Sequence, residues 1–104
     1  MWPFSKPTIA DLQSKAYIVY HEFGANARIP REQRLLKKFS SVGRTTIKIW
    51  LDQFSLVDSE VGNFVGTTHD FDRIGLKIHL AGKFPFMNDK ALEKAAFMGW
   101  FWTR

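Results

Sequence analysis

The sequence predicts an all-α domain of four or five short helices. Apolar residues recur at intervals of three and four along several segments, which is the spacing of one face of a helix. Residues that favour helix starts and stops flank these segments. The chain has 104 residues, of which 45% are apolar, so it fits one domain with one hydrophobic core.

The first segment, Thr8–Phe23, has the clearest helical pattern. Thr8 suits the N-cap, and Asp11 suits the positive end of the helix dipole. Gly24 follows as a stop signal. The apolar residues recur at 3-4-3-4 spacing: Ile9, Leu12, Ala16, Val19 and Phe23. We expect Leu12, Ala16 and Val19 to be buried.

Two further segments are predicted to be helical from their start signals. Pro30 is a favoured first-turn residue for a helix that runs to Phe39, with Leu35 and Phe39 on its buried side. Asn88 is a strong N-cap for a helix that runs to Phe101. This last helix is so apolar that most of its surface must be covered by the core or by another protein.

The third segment fits two patterns. Residues 46–51 alternate in polarity if Trp50 is counted as outward, which is typical of a strand. The longer window favours a helix over Thr45–Val61, ended by Gly62, with Leu51 and Phe54 buried. Its apolar residues have helical spacing: Ile47, Leu51, Phe54, Val57, Val61 and Phe64.

The fourth segment also fits both a strand pattern and a helix pattern. Residues 73–80 alternate strictly, as in a strand, yet Asp70 can cap a helix that Gly82 would close. The apolar residues with helical spacing are Phe71, Ile74, Ile78 and Ala81. A helix agrees better with the rest of the chain. The alternative architecture is α+β, with a small antiparallel sheet formed by segments 45–52 and 73–81.

Positive charge is concentrated in one part of the chain. The net charge is +5, but residues 28–48 alone carry seven basic residues against Glu32, a balance of +6. The basic residues are Arg28, Arg31, Arg34, Lys37, Lys38, Arg44 and Lys48. Such a segment attracts nucleic acid or an acidic protein surface. The alternative is that these charges are the solvated side of two amphipathic helices.

The same segment has the pattern of a helix-turn-helix. Residues 31–40 would form the first helix, 41–44 the turn, and a recognition helix would begin at Thr45. The side chains that suit phosphates or base edges are Arg44, Thr45, Thr46 and Lys48.

Two short stretches support that pattern, Arg44–Ile47 and Leu51–Phe54. They resemble the recognition helix of GntR-like winged-helix repressors. The resemblance covers about 25 residues and implies DNA binding through the helix that starts at Thr45. The turn here is one residue longer, and no convincing strand-Gly-strand wing follows. The chain is therefore not assigned to that family.

Aromatic residues are abundant, with ten Phe, four Trp and two Tyr. Three of them, Trp100, Phe101 and Trp102, are consecutive near the end of the predicted last helix. Neighbouring residues on a helix point about 100° apart, so the three rings cannot all face one side. At least one should meet solvent or another chain, and a second copy or a different protein is the expected partner.

The composition excludes several kinds of chemistry. Without cysteine there is no disulfide, thiolate metal site or cysteine nucleophile. The histidines, His21, His69 and His79, lack metal-ligand spacing, and no phosphate-binding glycine loop or nucleophile elbow occurs. We therefore expect a binding protein rather than an enzyme, without metal or cofactor. The absence of a signal peptide and of a long apolar run predicts a cytoplasmic location without a transmembrane segment.

Overall fold

The computed structural model describes residues 8–22, 28–66 and 72–102, and these form α-helices without strands. The helices are α1 (Ile9–Tyr20), α2 (Arg31–Lys38), α3 (Arg44–Gly66), α4 (Arg73–Lys83) and α5 (Asp89–Trp102). The all-α prediction is confirmed. The alternative sheet is wrong, because residues 45–52 lie within α3 and residues 73–81 lie within α4.

Helix α1 begins where the sequence predicts. The Asp11 amide donates to Thr8 Oγ1 over 3.1 Å, and the Thr8 amide donates back to the Asp11 carboxylate. This capping box satisfies two amide groups that the helix itself leaves without a partner. The helix ends at Tyr20 with His21 as its C-cap, earlier than predicted. Phe23 and Gly24 lie outside the described residues.

Helix α3 is longer than predicted at both ends. It runs through Gly62 to Gly66 because the apolar side continues past Gly62, with Phe64 and Val65 packed against the core. Gly62 itself lies on the exposed side. Trp50, 3% exposed, replaces Leu51 on the buried stripe, and Leu51 packs against the core while only half-buried. The buried stripe is Ile47, Trp50, Phe54, Val57 and Val61.

Helix α4 turns a different side inward from the one its pattern indicates. Ile74 and Ile78 are 71% and 69% exposed, whereas Leu76 and Leu80 are fully buried. The N-cap is Asp72, which accepts from the Gly75 amide over 2.8 Å. The predicted cap Asp70 and the apolar residue Phe71 lie outside the described part of the chain.

Ion pairs on both flanks of α4 accompany this orientation. Lys77 pairs with Glu93 of α5, while His79 and Lys83 contact Glu60 of α3. Helix α4 therefore lies between α3 and α5. The side of α4 that carries Leu76 and Leu80 faces the core. The alternating apolar pattern of residues 73–80 does not encode that choice.

Helix α5 packs against α1, α3 and α4. Its N-cap is confirmed, since the Ala91 amide donates to Asn88 Oδ1 over 3.0 Å. The buried Ser14 hydroxyl fixes the preceding turn to α1 by donating to the Phe86 carbonyl and accepting from the Asn88 amide. One hydrophobic core draws side chains from all five helices. Among the predicted core residues, Ala16, Val19, Leu35 and Phe54 are buried, and Leu12, Phe39 and Leu51 pack against them half-buried.

Candidate nucleic-acid interface

Helices α2 and α3 occupy the positions predicted for the two helices of a helix-turn-helix. They pack against each other and are joined by a tight 3₁₀ turn, Ser40–Val42. Gly43 completes the turn at φ +87°, a backbone conformation that side-chain-bearing residues rarely adopt. The Phe39 and Trp50 rings, 6.0 Å apart, hold the turn against the core. The relative placement of the two helices is therefore fixed by packing.

Most of the predicted binding residues point into solvent. The exposed ones are Arg28, Arg31, Lys37, Lys38, Arg44, Thr45 and Lys48. Thr46 is half-buried. The first turn of α3 contains no acidic residue. The positive end of the α3 dipole lies next to Arg44 and Lys48, and no carboxylate of that turn neutralises it. This end of the helix therefore attracts anions.

Arg34 was predicted to bind a partner, but its side chain is buried and forms hydrogen bonds within the fold. It is only 9% exposed, and its Nε donates to the Ile29 carbonyl over 2.7 Å. Its Nη1 donates to the carbonyls of Val19 and Tyr20 at the end of α1. The last carbonyls of a helix have few or no backbone partners, and Val19 also accepts from the Glu22 amide over 3.1 Å. Arg34 therefore helps to close the C-terminus of α1 and ties it to α2.

The other α2 cations surround the same junction. The Arg31 guanidinium lies 4.3 Å from the centre of the Tyr20 ring, a cation–π contact. Beside it, a cleft of about 300 Å³ opens between the end of α1 and α2. Val19, Glu22, Ile29, Arg34, Lys37 and Lys38 line this cleft.

The sequence pattern missed one residue on the exposed side of α3. Ile49 is 56% exposed, one turn after Thr45 and next to Lys48. An apolar side chain beside polar ones on a recognition helix can contact a thymine methyl group. The sequence analysis gave Ile49 no role, and only the orientation of α3 shows that its side chain is exposed beside these polar residues.

The winged-helix part of the resemblance is not met by the described residues. A wing needs two strands after the recognition helix, and residues 73–83 instead form α4. The likeness to GntR-like repressors is therefore restricted to residues 44–54 and their immediate surroundings.

The aromatic end of α5 is exposed. Trp100, Phe101 and Trp102 are 42%, 48% and 44% exposed, and Phe97 one turn earlier is 39% exposed. Phe97 stacks on Phe101 with ring centres 6.3 Å apart, and the Trp102 ring lies 5.9 Å from that of His21. The rings thus reach the end of α1 as well as solvent.

A buried polar cluster joins α1 to α3. Asp58 Oδ1 accepts from the Tyr17 hydroxyl over 3.0 Å and lies 2.9 Å from His21 Nε2. His21 therefore carries its proton on Nε2 when neutral, and its Nδ1 is buried without a partner among the described residues. Burial, followed by the Asp58 carboxylate, raises the pKa of the Tyr17 phenol. Tyr17 and His21 are one helical turn apart, but Asp58 lies 37 residues beyond His21, so no motif predicts the cluster.

Replacing Tyr17 with Phe should change how stability depends on pH. The folded pKa of Tyr17 lies above its ordinary value of 10.0, so above that pH the unfolded chain loses a proton that the folded chain keeps. The contribution of Tyr17 is therefore complete below pH 10 and should decline by about 1.4 kcal/mol per pH unit above it. Urea denaturation between about pH 9 and 11 should show this decline in the wild type and a shallower one in Tyr17→Phe. Identical slopes would contradict the burial of the phenol.

Neither a metal centre nor a membrane span is found in the described parts of the chain. No group of three or more His, Asp or Glu residues there is placed to hold a metal ion. None of the helices there is both long enough and apolar enough to cross a membrane. His69 lies outside those parts.

Comparisons with known proteins found no matching family model, no matching curated protein and no matching solved structure.

Proposed function

We propose that this chain is a binding protein that contacts the phosphates of nucleic acid through residues 28–48. The observation that carries the proposal is the exposure of six basic side chains around one packed helix-turn-helix unit. Lysine and arginine supply most of the affinity of proteins for nucleic acid, because each phosphate contact releases counterions. Glu32 is the one acidic residue of this segment, and it is half-buried.

The arrangement favours nucleic acid over an acidic protein surface. The cations extend from Arg28 along α2 to the start of α3 at Arg44 and Lys48, and such a series of positive charges suits a row of phosphates. Thr45 adds an exposed hydroxyl, and the first turn of α3 adds backbone amides that have no acceptor within the helix. Both kinds of group bind phosphate oxygens.

Fluorescence anisotropy at low salt tests the proposal. Labelled single-stranded DNA, duplex DNA and RNA are each titrated with the protein, with polyglutamate as a competitor of similar charge. We expect the protein to bind at least one nucleic acid, and we expect polyglutamate to displace that nucleic acid only weakly. Absence of binding to every nucleic acid would contradict the proposal, and equally strong competition by polyglutamate would favour an acidic protein partner.

A second candidate function is association through the aromatic end of α5. The supporting observation is the exposure of Trp100, Phe101 and Trp102, since tryptophan is enriched among the residues that dominate protein interfaces. A second copy of the chain is the simplest partner to test.

Sedimentation equilibrium at micromolar concentration should then detect self-association. Trp100→Ala or Trp102→Ala should weaken it by about 2 kcal/mol or more if the ring is central to the interface. A monomer at all concentrations, unchanged by either substitution, would remove this second candidate.

A further inference from the structure

The aromatic end of α5 and the basic helix α2 meet at the last turn of α1. The Trp102 ring lies 5.9 Å from the His21 ring, which lies 4.8 Å from the Tyr20 ring. The Arg31 guanidinium lies 4.3 Å beyond, over the Tyr20 ring. The three steps together measure about 15 Å, so Trp102 and Arg31 cannot be farther apart than that.

A second connection runs beside the first. Glu22 lines the cleft that Lys37 and Lys38 also line. Ile18 of α1, one turn before Glu22, lines a neighbouring cleft together with Lys94 and Phe97 of α5. Burial lowers the pKa of Lys94, and the Glu22 carboxylate opposes that effect. Lys94 lies 5.6 Å from the centre of the Phe97 ring. Phe97 in turn stacks on Phe101.

Two features that are separate in the sequence thus lie close together at the end of α1, and we call their exposed side chains the basic–aromatic surface. Its members are Arg31, Lys37, Lys38, Lys94, Phe101 and Trp102. Phe101 and Trp102 expose 48% and 44% of their area. The combination of cations with half-exposed rings is that of proteins which bind unpaired nucleic acid.

We propose that the basic–aromatic surface binds single-stranded nucleic acid, with phosphates on the α2 cations and bases stacked on Trp102 and Phe101. This inference rests on the proposed function and names its substrate class. In a duplex the faces of the bases are covered by their neighbours, so only unpaired bases can stack on these rings. The α2 cations lie within reach of the backbone of the same short strand.

Ile78 on α4 supplies an exposed apolar control away from the basic–aromatic surface. It is 69% exposed, and α4 packs mainly against α3 and α5 rather than against α1 and α2.

The test compares two labelled probes by anisotropy: oligo-dT of about 20 nucleotides and a duplex of the same length. Wild type should bind oligo-dT more tightly than the duplex. Trp102→Ala and Phe101→Ala should each weaken oligo-dT binding by about 5- to 150-fold, and Ile78→Ala should leave it unchanged. Trp102→Phe keeps a stacking ring and should retain most of the affinity, which separates stacking from any loss of folding.

Glu22 provides a test by charge. Its carboxylate lies within the proposed path of the strand, so Glu22→Gln should tighten oligo-dT binding by up to about fivefold. Ring substitutions without effect on oligo-dT, together with equal affinity for the duplex, would overturn this inference while the proposed function stands. Failure to bind either probe would overturn both.

Discussion

Neutralising the four exposed cations on α2 and just before it should remove most of the binding to nucleic acid. The variant carries Arg28→Gln, Arg31→Gln, Lys37→Gln and Lys38→Gln. Each lost phosphate contact should reduce the slope of log affinity against log salt by about 0.7 to 0.9, so four contacts reduce it by about 3. Affinity at low salt should fall by about 100-fold or more. Arg34 is left in place because its guanidinium holds the carbonyls at the end of α1.

A control variant with the same loss of charge distinguishes the segment from the net charge. Substituting Gln for Lys15, Lys77, Lys83 and Lys90 also lowers the formal charge from +5 to +1. Lys77 and Lys83 form partly or fully exposed ion pairs, which contribute little to stability. This variant should bind nearly as well as the wild type. An equal loss in both variants would mean that net charge, rather than residues 28–48, governs the interaction.

Phe54→Ala should cause the largest loss of stability expected for a single substitution discussed here. The ring is fully buried and has aromatic neighbours on two sides, with Tyr17 and Tyr20 each 5.4 Å away and Phe86 6.0 Å away. Removing it leaves a cavity where α1, α3 and the turn before α5 meet. The free energy of unfolding should fall by about 3–5 kcal/mol, measured by urea denaturation.

Leu51→Ala is the companion substitution. Leu51 is half-buried at the edge of the core, so its removal should cost about half as much as that of Phe54. If Leu51→Ala proved the more damaging of the two, the side of α3 that faces the core would be wrongly assigned.

The elements that sequence analysis predicted best carry their own local signals. Thr8 and Asp11 form a capping box from side chains three residues apart, and Asn88 caps α5 through a hydrogen bond of the same span. Such contacts depend on neighbours in the sequence and survive in any tertiary context. The spacing of apolar residues then makes α1 and α3 recognisable as helices, although it leaves their exact ends open.

The orientation of helices is set by contacts that no local pattern contains. On α4, either Ile74 with Ile78 or Leu76 with Leu80 could have formed the buried side. Flanking ion pairs, such as Lys77–Glu93, accompany burial of the leucines. Composition likewise grouped Arg34 with the surface cations, whereas the fold buries it against α1. Charge alone does not distinguish these two uses of arginine.

The candidate interface was predicted in parts rather than as a whole. The basic segment and the aromatic end were both evident, but residues 31 and 102 are separated by most of the chain. Their proximity depends on His21 and Tyr20 at the last turn of α1, which contact Trp102 and Arg31 respectively. Only the packing of α1 against both α2 and α5 brings them together.

The affinity of the wild-type protein for oligo-dT as a function of salt tests the central claim most directly. If four to six cations of residues 28–48 contact phosphates, log affinity should fall linearly with log salt at a slope of about −3 to −4. Anisotropy titrations between about 50 and 200 mM salt give this slope. A slope near zero, or no binding at the lowest salt, would contradict the assignment of this segment to nucleic acid.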